Sequence, residues 1–324
     1  MEECASWLDS PDEATLREKT KPVWLSDQSL ICDDWMVNSK ESEGVSMSNR
    51  RSEVEKLLEE ADHEGSYIKL LPLTLEYGTF VEAEYGKESL EYASWLNDLG
   101  TIYRDMGKYE ESEQTFLSAN DLLARLETTD GPNYATSVNN TAGLYRRMRR
   151  FEDAERMFAE SIRAYRASLG EDHFLFISAL NNLGLVYQDM GRYEEAEPLH
   201  LRCLAFLEKD ENQNVIAMGT TMNNLGTLYQ HQKNYEAAVE MLQQASLLYM
   251  RELGTGHPLY ATALNNLASS LYLAGQYAQA LENSTHVVSI TRSKFGENSA
   301  YHRSALRNLA MIEQAIRGRG EVQP

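Results

Sequence analysis

Apolar positions along this chain follow the helical period, and the whole pattern returns every 42 residues. Around Asn97, a helical wheel places Leu96, Leu99, Tyr103 and Met106 on one side, the stripe expected to meet a partner helix. Asn97, Thr101 and Arg104 fall opposite, with Ser94 and Asp105 beside them. The stretch Asn181 to Ala196, NNLGLVYQDMGRYEEA, has near-copies that align Asn97, Asn139, Asn181, Asn223 and Asn265 without an insertion. A small-residue column reads Gly100, Ala142, Gly184, Gly226, Ala268, and a second reads Ser112, Ala154, Ala196, Ala238, Ala280. Between them runs the aromatic column Tyr109, Phe151, Tyr193, Tyr235, Tyr277. Small residues at fixed places let two helices approach closely, and an aromatic at the turn fills the gap between them. The pattern therefore predicts an all-α array of helix-turn-helix repeats.

In chain order the reading has three parts. Residues 1–51 form an acidic segment with Trp7, Trp24 and Trp35 and no sustained helical period, expected to be disordered or weakly structured. Residues 52–317 hold the array: a degenerate first unit from Ser52, five full units from about Tyr92, Tyr134, Phe176, Met218 and Tyr260, and a closing helix from Tyr301 to about Arg317. Residues 318–324 are a polar tail. Pro72 and Pro198 fall early in second helices, where a missing N–H costs little. Gly86, Gly170, Gly254 and Gly296 mark the ends of second helices, where glycine takes the left-handed conformation that stops a helix, and Thr128 and Asn212 occupy that slot in two units.

The runs NNLGLVYQDMGRYEEAEPL (Asn181 to Leu199), NNLGTLYQHQKNYEAAVEML (Asn223 to Leu242) and GTGHPLYATALNNLA (Gly254 to Ala268) resemble the tetratricopeptide repeat, in the 42-residue form found in kinesin light chains. The resemblance covers roughly residues 52 to 317. It implies a right-handed superhelix, or solenoid, whose first helices line a concave wall, and a role in protein–protein interaction. Kinesin light chains also carry a long heptad segment that joins the motor, and nothing here sustains heptads over that length.

Charge narrows the partners. A formal net charge of -20 argues against nucleic acid and against anionic membrane surfaces. No apolar run is long enough to span a bilayer, and the first residues are acidic where a signal peptide is basic, so a cytoplasmic protein is expected. Cys4, Cys32 and Cys203 show neither a CxxC nor a histidine spacing, so no metal, disulfide framework or cofactor is predicted. Nucleotide-binding, metalloprotease and hydrolase motifs are missing, and the paired acids Glu110 with Glu111 and Glu194 with Glu195 open second helices, where they complement the dipole. The expected protein is not an enzyme. Cys203, in a small-residue column, and His200, in an aromatic one, read as packed side chains, while His173 and His257 in the links read as cap or turn contacts.

What the array presents is the polar side of its first helices. Asparagine costs roughly 0.5 to 0.7 kcal/mol against alanine in a helix interior, so five copies at Asn97, Asn139, Asn181, Asn223 and Asn265 forgo about 3 kcal/mol. The functional reading is that these amides clasp the main chain of an extended peptide; the structural one is inherited duplication or a bond to the neighbouring helix. For the next column, Asp98, Asn140, Asn182, Asn224 and Asn266, bonding between repeats is the favoured reading. One turn on, the groove stripe reads Arg104, Arg146, Gln188, Gln230, Tyr272, and Arg147 stands beside it. Arg104, Arg146 and Arg147 are expected to bind acidic side chains of the ligand, and the resemblance implies cargo with an aromatic residue flanked by acids. CDDWMVN around Trp35 is itself such a sequence, so the N-terminal segment is a candidate intramolecular ligand. The alternative function is a scaffold that assembles through its ends or convex face.

Overall fold

The computed structural model describes residues 44–63, 66–209 and 214–319. Trp7, Trp24, Trp35, Cys4, Cys32, Asn212 and the last residues of the tail lie outside the described residues. Among the described residues, thirteen helices follow one another and no strand occurs. They are α1 Gly44–His63, α2 Tyr67–Tyr85, α3 Leu90–Asp105, α4 Tyr109–Leu126, α5 Pro132–Arg147, α6 Phe151–Leu169 and α7 Phe174–Asp189, then α8 Tyr193–Leu207, α9 Val215–His231, α10 Tyr235–Leu253, α11 Pro258–Leu273, α12 Tyr277–Phe295 and α13 Ala300–Arg319. Contact between segments divides them into two compact bodies, one ending at Val186 and one beginning at Tyr187.

The 42-residue register survives intact. Every second helix begins on its aromatic: Tyr67, Tyr109, Phe151, Tyr193, Tyr235, Tyr277. First helices start earlier than the apolar pattern alone suggests, because the link residues cap them. The Ser89 hydroxyl accepts from the N–H of Tyr92 at 3.2 Å, and Pro132 and Pro258 take the first turn, where no donor is needed. His173 and His257 each accept, through Nδ1, from a backbone N–H two residues on, at 3.2 Å. α1 opens at Gly44, ahead of the Ser52 at which the repeat pattern becomes readable.

The turn inside each of the five full units is one motif. The N–H groups of Lys108, Arg150, Arg192, Asn234 and Gln276 reach back five residues to the carbonyls of Tyr103, Tyr145, Tyr187, Tyr229 and Leu271 at 2.8 to 2.9 Å, and the Ser66 N–H makes the same reach to the Ala61 carbonyl at 3.0 Å in the first unit. That bond requires left-handed backbone at the residue before it. Gly107, Gly191 and Gly275 supply it, and Arg149 and Lys233 adopt it at φ 59° and 63°. At the far end of the second helices the glycine slot has a similar effect. α2, α6, α10 and α12 each run 19 residues to a glycine at φ 79° to 84°. α4, which meets Thr128 there, stops at 18 residues, and Thr128 takes φ 83° itself.

Packing within a unit turns on the small columns. A Cβ on Gly226 would stand 2.4 Å from Leu242 Cγ, so α9 and α10 touch through bare backbone. The hydroxyl of Ser112 donates to the Gly100 carbonyl at 2.7 Å, and that of Ser161 to the Ala135 carbonyl at 2.8 Å. Cys203 is buried and its thiol lies 3.4 Å from the Thr221 hydroxyl; burial pushes the thiol's pKa up, as expected for a packed side chain.

α13 has the register of a first helix but a different face. Ala93, Ala135, Ile177, Gly219 and Ala261 are buried where Arg303 stands exposed. Tyr103, Tyr145, Tyr187, Tyr229 and Leu271 give way to Glu313, which pairs with Arg317 at 3.1 Å. Its other side is apolar: Ala305, Ile312 and Ile316 are buried. Its exposed side mixes the charges of Arg303 and Glu313 with Leu306 and Met311.

Candidate functional site

The first helices are buried along most of their surface and leave a narrow polar strip half-open. In the body that ends at Val186 the strip includes Ser94, Asn97, Asp98 and Thr101 on α3, Thr136, Asn140, Gly143 and Arg146 on α5, and Ser178, Asn181 and Asn182 on α7. In the other body it includes Thr220, Asn223, Thr227 and Gln230 on α9 and Thr262, Asn265 and Asn266 on α11. The periodic amides and Gln230 fall on this strip, with three departures.

The first concerns Asn139, which is 7% exposed and not on the open edge of its helix. Its Oδ1 and that of Asn97 are buried and accept no hydrogen bond from the described residues. Asn97 donates through Nδ2 to the Ala93 carbonyl at 3.3 Å. An acceptor withdrawn from water and left unmatched costs about 1 to 3 kcal/mol.

In the second body the same column is engaged. Asn266 Nδ2 donates to Asn223 Oδ1 at 3.1 Å, and Asn308 Nδ2 donates to Asn265 Oδ1 at 2.8 Å. Each pair is one residue more than a repeat apart, so the second asparagine column of one unit ties to the first column of the unit before. Between-repeat bonding, expected of the second column, thus also occupies the carbonyl oxygens of the first.

The third departure is the arginine cluster. Arg104, expected on the open stripe, is 7% exposed. Its Nε donates to Asp105 Oδ1 at 3.0 Å, and Arg147 Nη1 approaches the same oxygen at 3.6 Å. The hydroxyl of Tyr67 donates to Asp105 Oδ2 at 3.4 Å. Gly143 lies beside the cluster, and a Cβ there would be in ordinary contact with Arg104 Nη1 at 3.9 Å. Ions withdrawn from water must be paired, which is why Arg104 and Arg147 turn towards Asp105 and away from solvent. Arg146 stays half-exposed on the strip.

Gln188 and Gln230 also bind inward. Gln188 donates to the Asn224 carbonyl at 3.2 Å, and its Oε1 lies 2.9 Å from Nε2 of the buried His200. Gln230 Oε1 accepts from Ser270 Oγ at 2.7 Å, and its Nε2 faces Ser269 Oγ at 3.4 Å.

Two electrostatic features mark the strip. Asp98 keeps solvent-accessible surface, yet the protein packed around its carboxyl strips enough water to push the pKa up to about 7. His231, stacked on Tyr193 at 5.1 Å, is lowered by burial, a shift that the Asp189 carboxylate partly offsets.

A hydroxyl column escaped the sequence reading, although the same 42-residue count exposes it: Ser94, Thr136, Ser178, Thr220, Thr262, Ser304. Thr136 meets the Tyr165 hydroxyl at 2.8 Å and Thr220 the Tyr249 hydroxyl at 2.9 Å, so two of the six brace their own second helix. Among the described residues no three His, Cys, Asp or Glu side chains converge to hold a metal, and no helix is long and apolar enough to cross a membrane.

Comparison with known proteins follows the same register. A family model described as tetratricopeptide repeat matches residues 91–167, 133–209, 217–293 and 261–319. No curated protein matches. Among solved structures, a Podosopora anserina putative kinesin light chain with nearly identical TPR-like repeats is similar at 19% identity and TM-score 0.54, over 61% of this chain and 93% of that one. BtubC (BKLC) from P. vanneervenii is similar at 22% identity and TM-score 0.50, over 65% and 91%. The apo form of RapI is similar at 14% identity and TM-score 0.55, over 84% and 100%. At these identities the likeness is one of fold.

Proposed function

The chain belongs to the tetratricopeptide repeat family, and from that premise we propose that it binds an extended peptide or protein tail along the polar strip of its first helices. The family and the fold make it a protein–protein interaction module. The finer reading rests on one observation: Asn97 and Asn139 hold buried amide oxygens without a donor, whereas Asn223 and Asn265 have theirs taken by Asn266 and Asn308. Both oxygens are covered in the unbound chain, so a ligand's main-chain N–H supplies the donor they lack only when the two side chains turn out towards the strip. The ligand therefore lies on α3 and α5, where the half-exposed Arg146 shares the strip. Arg104 and Arg147 shape that wall through Asp105.

The test is a peptide-display selection against the full chain, followed by affinity measurements. Asn97→Ala with Asn139→Ala is expected to weaken the selected peptides about tenfold, as two main-chain hydrogen bonds warrant. Asn223→Ala with Asn265→Ala should do much less. Equal effects of the two pairs, or none, would sink the reading.

A second reading has its own observation. Leu75 and Leu117 occupy one column of the second helices and are both exposed, which suits a scaffold that assembles through the outer faces. Leu117→Asp would then abolish assembly and leave peptide binding intact.

A further inference from the structure

The charge that the strip has to offer a ligand is negative. Arg104 and Arg147 converge on Asp105, and Arg146 also has a partner within the chain. Asp98, exposed on α3 one residue from Asn97, is placed differently. Burial alone raises its pKa, and no hydrogen bond or cation among the described residues acts on its carboxyl. Water reaches the group from the strip while protein crowds it from the other sides.

The register explains why this carboxyl stands alone. Asn266 and Asn308 each donate to the asparagine 43 residues earlier, Asn223 and Asn265. Counting 43 back from Asp98 gives Glu55 on α1, and the Glu55 carboxylate already accepts from Arg51 Nε at 2.9 Å. An ionised carboxylate accepts hydrogen bonds and cannot donate one. Where later units close an amide pair, the first full unit therefore has an acid in both positions, and neither can tie to the other.

We propose that Asp98 recognises a cationic side chain of the ligand, a lysine or an arginine, at the α3 end of the strip. The proposal rests on the reading of the strip given above, carried by the unmatched oxygens of Asn97 and Asn139, and adds the ligand's charge. Asp98 follows Asn97 directly, so a main chain that bonds Asn97 carries a neighbouring side chain past the carboxylate. Crowding weakens the screening by water, so a guanidinium or ammonium there gains more than on an open surface. Asparagine fills this column in the units that follow, so the preference belongs to one end and fixes the direction in which the ligand lies.

The experiment runs the display selection from a random peptide library against the full chain, against Asp98→Asn and against Asp98→Lys. Asparagine holds this column in the later units, so Asp98→Asn keeps the fold. Peptides selected on the parent are expected to share a lysine or arginine at one fixed place. Changing that residue to glutamine should weaken binding to the parent about tenfold and to Asp98→Asn hardly at all. Selection on Asp98→Lys is expected to put aspartate or glutamate there. The whole chain carries a net charge of -20, so Glu110→Gln, at an exposed acid on α4, controls for general attraction and should leave affinities unchanged. Peptides that lose affinity with Asn97→Ala and Asn139→Ala but share no cation overturn the inference and leave the strip as the site. So does a shared cation that responds equally to Asp98→Asn and Glu110→Gln. Peptides indifferent to both asparagines, or no enrichment at all, overturn the reading of the strip and the inference with it. A shared cation that proves to be the peptide's own amino terminus, lost on acetylation, overturns the assignment to a side chain.

Discussion

Asn308 Nδ2 lies 2.8 Å from Asn265 Oδ1, and the pair straps α13 to the first helix of the unit before it. The bond lies inside the column expected to face a ligand, so one residue type in one register serves two ends. Asn308→Ala removes the strap. It is expected to cost about 1 kcal/mol and to speed amide exchange in α13 ahead of the remaining helices. Hydrogen exchange at amide resolution checks both points, and uniform acceleration across the chain would count against a local strap.

Thr128 occupies a glycine slot at φ 83°. Left-handed backbone costs an L-residue about 1 to 2 kcal/mol, while glycine's added freedom in the unfolded chain takes back about 0.5 to 1. Thr128→Gly is therefore expected to stabilise the protein by roughly 0.5 to 1 kcal/mol. A denaturation midpoint in urea reads it directly, with an unchanged slope.

Asp105 is 3% exposed at its side chain and faces two arginines. Asp105→Asn leaves two guanidiniums without their shared anion and is expected to cost about 3 to 5 kcal/mol. The loss should shrink at high salt or in a background with Arg147→Met, and thermal unfolding of the three variants measures the coupling.

Asp98 ties stability to pH. Burial raises its carboxyl to about 7, above the roughly 3.9 of an unfolded aspartate, so the native state holds the proton more tightly. Stability from that proton is complete below about pH 4 and is lost as the pH rises through about 7. Asp98→Asn, the residue found in the units that follow, should match the parent at about pH 4 and exceed it at about pH 8. The gain is under about 1 kcal/mol, because water still reaches the group and screens its charge. Urea midpoints at the two pH values decide it; a gain at both would assign the effect to something other than titration.

The helices were readable because repetition averages out local noise. The aromatic starts, the glycine stops and the two prolines all keep one count, and Thr128 was placed in its slot by that count alone. What a one-dimensional register cannot tell is which neighbour a periodic polar group meets. Asn223 and Asn265 bond a column offset by a single residue in the next unit, and Thr136 and Thr220 brace tyrosines that occur only in alternate units. Arg104 misled for a related reason. A helical wheel sees one helix, while burial of that guanidinium depends on Asp105 beside it and on Tyr67, from an earlier unit, which bonds the same carboxylate.

The altered outer face of α13 bears on how such chains change length. A helix with Arg303 where the other units bury Ala, Ile or Gly seats a further second helix less well, so it suits a place after any unit. Moving residues 296 to 319 to a position directly after α10 would make a shorter molecule with the same finish. Duplicating 42 residues upstream would make a longer one. Growth and shrinkage are thus separated from the problem of hiding an end, and the interior is left free to diversify.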